Sequence, residues 1–162
     1  MASIVPSAPY VPRPIDWETL RQRLEKGELH LLGRSEEVLR LYRTFSADIL
    51  KEYTSMGDYV CHTVFGYPLE IDPSTSKKHA IIPEPKGSRL AFRPNDFPYY
   101  FEEGIEHHVL WSESDILNDE VVKQQILLHR PDHECLFFIN PLMLQSIKSV
   151  AHAHILSRRK KS

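Results

Sequence analysis

Glycine is scarce in this chain, six residues in 162 against twelve prolines, so its connecting segments are expected to be stiff. Two cysteines, Cys61 and Cys135, exclude a disulfide framework and a cysteine-built zinc site. Reduced thiols in a cytoplasmic protein are the expectation. Neither sign of charge is in excess: 20 Lys+Arg oppose 22 Asp+Glu, and the net charge of −2 excludes a strongly basic nucleic-acid binder. A local basic patch is still allowed, because Arg158, Arg159, Lys160 and Lys161 stand together at the end and leave residues 1–157 with a net −6. No apolar run approaches the ~18 residues of a transmembrane helix. The opening MASIVPSAPYVPRPIDW lacks the charged start and long apolar stretch of a secretory signal.

What is present suits one soluble domain: 41% apolar and 26% charged residues, near the globular average. Residues 1–15 read as an extended proline-rich arm, 16–157 as a single catalytic or binding domain, and 158–162 as a basic tail. Asp16 can cap a short helix carrying Trp17, Leu20 and Leu24, with Gly27 ending it. Ser35 can cap a second helix to about Tyr53, on which Val38, Leu41, Tyr42, Phe45 and Ile49 form an apolar stripe. Residues 58–65 fit helix or strand, and the proline-punctuated 67–88 should be a long loop. Strands are expected at 89–92, 105–112, 134–140 and 150–157, with a helix from Asn118 to about His129. The layout is α+β, with N-terminal helices packed on a small, mostly antiparallel sheet.

His152 and His154 share one face of the last strand, with Cα atoms about 7 Å apart. Imidazoles gain and lose protons near neutral pH, so such a pair can serve as base and acid, as nucleophile and orienter, or as half a metal site. Two half-buried structural histidines would look the same, and a metal site would need His107 or His108 as well. A second constellation lies between Arg93 and Lys123, which contains no Lys or Arg. Asp96, Glu102, Glu103 and Glu106 stand there among aromatic residues including Trp111, with Asn95 and His108 close by in sequence. Carboxylates beside rings suit a guanidinium, which pairs with the first and stacks on the second. The alternative is a solvated acidic surface over a core. The terminal cations, with Arg89 and Arg93, could contact nucleic-acid phosphates.

The order Asn140, Gln145, Ser146, His152, His154, Arg158 resembles the end of a histidine-triad nucleotide-binding domain. It departs from that pattern at Val150, where the first histidine would stand. The wider segments RLYR (40–43), ILKEYTSMGDY (49–59), RPNDFPY (93–99), GIEHHVLWS (104–112) and NPLMLQSIKSVAHAH (140–154) resemble the fungal N-acetylglucosamine-induced protein family. Within that family the resemblance extends to a subset of arginine-containing cyclodipeptide synthases. It implies a stand-alone enzyme that joins arginine, delivered as arginyl-tRNA, to a second aminoacyl-tRNA. No cofactor or metal is needed, because the ester is already activated, and neither a membrane nor DNA is a partner.

On that reading His152 or His154 is the base, and Asn140 or Gln145 donates to an oxyanion. Ser146, Ser112, Cys135 or a histidine could carry an acyl group. Asn95, Asp96, Glu102, Glu103, Glu106, His108 and Trp111 would hold the substrate, and Arg89, Arg93, Arg158, Arg159, Lys160 and Lys161 the tRNA. A histidine-triad-like nucleotide hydrolase or nucleotidyl transferase, and a non-catalytic regulatory protein, are the competing readings.

Overall fold

The computed structural model describes residues 10–140, Gln145, Ile147 and 149–161. Ser146 and most of the arm therefore lie outside the described residues. The helices come first: α1 (Trp17–Glu25), a 3-10 turn (Leu29–Leu31), α2 (Glu36–Glu52) and α3 (Met56–Phe65). A hairpin of β1 (Leu69–Asp72) and β2 (Lys77–Ala80) follows. Then come β3 (Leu90–Pro94), β4 (Glu106–Ser112), α4 (Asp119–His129), β5 (His133–Phe138) and β6 (His152–Arg159). The main sheet is wholly antiparallel in the order β3-β4-β6-β5, so the α+β expectation stands.

Helix starts follow their caps. The side chains of Asp16, Ser35 and Asn118 accept from the backbone N–H three residues on, as expected from sequence. Ser55 does the same for Asp58, which makes 56–65 a separate helix. Gly66, with φ +72°, ends it in the left-handed conformation that glycine adopts without strain.

Two expectations need correction. Residues 67–88 are not all loop, because β1 and β2 pair from Leu69↔Ala80 to Asp72↔Lys77. The Asp72 side chain closes their turn by accepting from the Ser74 N–H and hydroxyl, and Asp58 fixes the hairpin to α3 by accepting from Ala80 N–H at 2.9 Å. The boundary at 157/158 also moves, since β6 runs through Arg159. Arg158 is a strand residue paired with Glu134 at 2.6 Å and lying over the Trp17 ring at 4.6 Å.

Strand alternation sorts the side chains of the main sheet onto two faces. Leu110, Ala153 and Ile155 meet Val122 of α4 on one. On the other, Leu156 and Phe138 pack with Trp17 and Leu20 of α1, and with Leu32 and Tyr99. This second face also carries His107, Val109, Trp111, His152 and His154, which the registers Val109↔His154 and Trp111↔His152 bring together.

Candidate active site

Between that histidine-bearing face and helices α2 and α3 lies a cavity of about 180 Å³. A water's share of liquid volume is about 30 Å³, so it has room for about six. Tyr42 and Phe45 come from α2, and Met56, Tyr59, Val60, Thr63 and Val64 from one face of α3. The sheet contributes Arg93, Val109, Trp111, His152 and His154, and the flanking loops Arg34 and Asn95–Phe97. The α2 stripe finds its explanation here. Leu39 is the buried residue of that helix and Leu41 is 52% exposed, while Tyr42 and Phe45 form a cavity wall instead of a core.

Hydrogen-bond partners fix the tautomers of three buried imidazoles. Tyr99 N–H, which can only donate, points at His107 Nδ1 at 3.0 Å. Complete burial holds His107 down at about 3, so the ring is neutral and its proton sits on Nε2. That N–H donates to His154 Nδ1 at 2.8 Å. Burial, then the neighbouring His107, keep His154 well below the usual histidine value, so it too is neutral and carries its proton on Nε2. His152 is set the opposite way. Its Nδ1–H donates to the Val150 carbonyl at 2.8 Å, and burial lowers its pKa, leaving a lone pair on Nε2. Val150, which departs from the histidine-triad pattern, thus serves His152 through its backbone.

The two cavity histidines therefore offer complementary atoms: an acceptor on His152 and a donor on His154. Their ring centres are 5.5 Å apart, and the Trp111 ring lies 4.8 Å from His152. No hydrogen bond to either Nε2 atom is found among the described residues. His107, seven residues downstream of Tyr100 and next to the expected His108, is the orienting group that sequence reading placed only as a metal-ligand alternative.

The expected substrate residues divide. Asn95, Asp96 and Trp111 line the cavity, and Asn95 shapes the turn by accepting from Phe97 N–H at 2.9 Å. His108 does not, because alternation turns it to the α4 face, stacked on Phe92. Glu102, Glu103 and Glu106 border a separate groove with Arg158 and Arg159. Glu106 is further engaged with Arg130 at 2.5 Å. Glu113, from the same acidic run, is buried beneath Arg89 and Tyr67 and held down at about 2, chiefly by hydrogen bonds from Arg89.

Of the expected catalytic polar groups, Asn140 is buried against the Tyr99 hydroxyl, and its backbone carbonyl accepts from Gln145. Neither residue lines the cavity. Of the acyl-carrier alternatives, Ser112 donates to Ser114 O, and Cys135 sits on β5, with its thiol nearest the His133 carbonyl. No serine or cysteine lines the cavity among the described residues. Arg93 reaches the cavity, and Arg89 serves as a clamp on Glu113 and Phe65 O. Lys160 and Lys161 are exposed beyond β6. Among the described residues no group of three or more His, Cys, Asp or Glu is placed to hold a metal ion, and no helix is long and apolar enough to cross a membrane.

The sequence pattern of a protein family of unknown function, DUF3605, matches residues 16–128, most of the chain. The chain belongs to this family. A Saccharomyces cerevisiae relative, uncharacterized protein YPL067C, is 31% identical over 86% of this chain and 77% of its own length. N-acetylglucosamine-induced protein 1 of Candida albicans is 24% identical over 88% of this chain and 68% of its own. The family resemblance drawn from residues 40–59, 93–112 and 140–154 agrees with these relatives. The crystal structure of HTC1 superposes with a TM-score of 0.63 at 26% identity, covering 90% of this chain and 86% of that one. In this DUF3605 chain the family match supplies strands β3 and β4 and the cavity helices, while His152 and His154 lie beyond it.

Proposed function

We propose that this protein is a tRNA-dependent cyclodipeptide synthase that builds a cyclo(Arg-Xaa) diketopiperazine from arginyl-tRNA and a second aminoacyl-tRNA. One observation carries the reading: an imidazole acceptor, an imidazole donor, a carboxylate and several aromatic rings line a single cavity. Asp96, with Phe97, Tyr42 and Trp111, suits a guanidinium. The α-amine of one aminoacyl ester attacks the carbonyl carbon of the other. His152 Nε2 takes the amine proton, and His154 Nε2–H donates to the carbonyl oxygen as negative charge develops. The new C–N bond forms, the ester C–O bond breaks, and the proton passes to the departing ribose hydroxyl. The amine still free then attacks the remaining ester in the same way, closing the ring and releasing the second tRNA. With no serine or cysteine on the described cavity wall, direct transfer between the two esters, or transfer through His152, is favoured over an acyl-serine.

Heterologous expression followed by mass spectrometry for cyclo(Arg-Xaa) is the test. Product formation in a lysate is expected, with loss on ribonuclease treatment. Absence of any arginine diketopiperazine removes the reading. The histidine-triad-like alternative uses His152 Nε2 as a nucleophile on phosphorus, and turnover of dinucleoside polyphosphates would select it.

A further inference from the structure

Arg34 is only 4% exposed, yet its guanidinium borders the same cavity as His152 and His154. Its Nε–H donates to the Phe97 carbonyl at 2.8 Å, and its central carbon lies 4.1 Å from the Tyr42 ring centre and 5.3 Å from that of Tyr99. No carboxylate within 4.0 Å is found for it among the described residues. The partly buried arginines differ from it: Arg21 has Glu18, Arg23 has Glu28, Arg130 has Glu106 and Arg158 has Glu134, while the other described arginines without a carboxylate partner are exposed to water. A cation withdrawn from water is costly unless an anion compensates it. A carbonyl takes the Nε–H and two rings pack against the guanidinium, which leaves the NH1/NH2 edge as a two-pronged donor suited to an oxyanion. Asp96 shares the cavity without reaching it.

We propose that Arg34 is an anion subsite of the cavity and binds a phosphate oxygen of the nucleotide that carries the acyl group. The choice of phosphate rests on the aminoacyl-tRNA reading. In an aminoacyl ester the amino-acid carboxyl is esterified and uncharged, so the nearest anion is the phosphodiester of the terminal nucleotide. A free amino acid would offer its carboxylate to the same guanidinium.

Calorimetric titration of the full-length protein with 5′-AMP, adenosine and free arginine separates these sources. AMP is expected to bind at least tenfold more tightly than adenosine. The difference should vanish in Arg34→Met, be partly kept in Arg34→Lys, and leave adenosine binding unchanged. Circular dichroism checks the fold of each variant. If Arg34→Met does not fold, the wild-type comparison still decides, with the His152 and His154 ring signals in NMR reporting whether AMP enters this cavity. Equal affinity for AMP and adenosine overturns the proposal. So does a preference for AMP that survives in Arg34→Met, or a loss confined to free arginine. An Arg34-dependent AMP preference without cyclo(Arg-Xaa) formation would sink the synthase reading and keep the subsite. Product formation without that preference would do the reverse.

Discussion

His152 and His154 are two residues apart on one strand, and their backgrounds give them opposite roles. A backbone carbonyl holds the proton of His152 on Nδ1, and a second imidazole, His107, forces the proton of His154 onto Nε2. On the proposed chemistry His152→Ala should lower kcat/KM by about 10²–10⁴, the range of general-base catalysis, with little change in melting temperature. Wild-type turnover at unchanged fold would assign these rings a structural role. His107→Phe tests positioning. It leaves the Tyr99 N–H without its buried acceptor, at a cost of about 1–3 kcal/mol in stability. It also frees His154 to take the other tautomer. We expect kcat to fall while KM for arginyl-tRNA stays near wild type, and the pH profile to change shape. A purely structural His107 would move stability alone. Because burial lowers the His152 pKa, the base is already free at neutrality, and the acid limb of kcat/KM should lie below the ordinary histidine value of 6.5. An acid limb above pH 7 would contradict a neutral His152.

At the scale of elements, α3 is what connects the cavity to the end of the chain. It presents Met56, Tyr59, Val60, Thr63 and Val64 to the cavity, and its first turn meets the segment leading into β6. Gly57 fits closely at that contact, since an added Cβ would stand 1.7 Å from Ser149 Oγ, which must rotate away, and 3.1 Å from its Cβ. Gly57→Ala should therefore destabilise by about 1–3 kcal/mol, the usual cost of overpacking. Ser149→Ala in the same chain should recover part of it, read as a coupling energy in a double-mutant cycle. The segment sets the Val150 carbonyl that orients His152, so Gly57→Ala should also reduce turnover more than its stability loss explains. Additive effects of the two substitutions would show that the contact is not shared.

Over the whole molecule, stability depends on pH through groups whose folded and unfolded pKa values differ. The buried imidazoles remain neutral in the native state, His107 down to about 3, whereas the unfolded chain takes up these protons near 6.5. Their contribution is thus full above 6.5 and lost progressively as pH falls below it. Glu113, held near 2 against an unfolded 4.5, acts with the same sign between those values. Tyr67 is pushed up to about 12 from 10, first by burial and then by its bond to Glu113, so its contribution is lost as pH rises through that interval. Burial also raises the Cys61 and Cys135 thiols from 9, with the same sign as Tyr67, so melting temperature should hold a plateau between about pH 6.5 and 9 and fall on both sides. Glu113→Gln should flatten the portion between 4.5 and 2. A melting temperature that rises from pH 6.5 down to 5 would show that the imidazoles are not buried neutral.

Features that depend on near neighbours were legible in the chain alone. Asp16, Ser35 and Asn118 cap helices because a short side chain reaches an N–H three residues away, and alternation alone puts His152 and His154 on one face. Contacts across long stretches of chain were decided by the tertiary structure. His107 rather than His108 joins the site because the β4–β6 register pairs Val109 with His154, and nothing local specifies a register between strands more than forty residues apart. The acidic run reads as one cluster, yet β4 carries Glu106 and Glu113 to opposite ends and leaves Asp96 at the cavity. Arg34 looks in sequence like any surface cation before a capping serine. Only packing under Tyr42 and Tyr99 removes it from water without a carboxylate, because burial is a property of everything that surrounds a side chain.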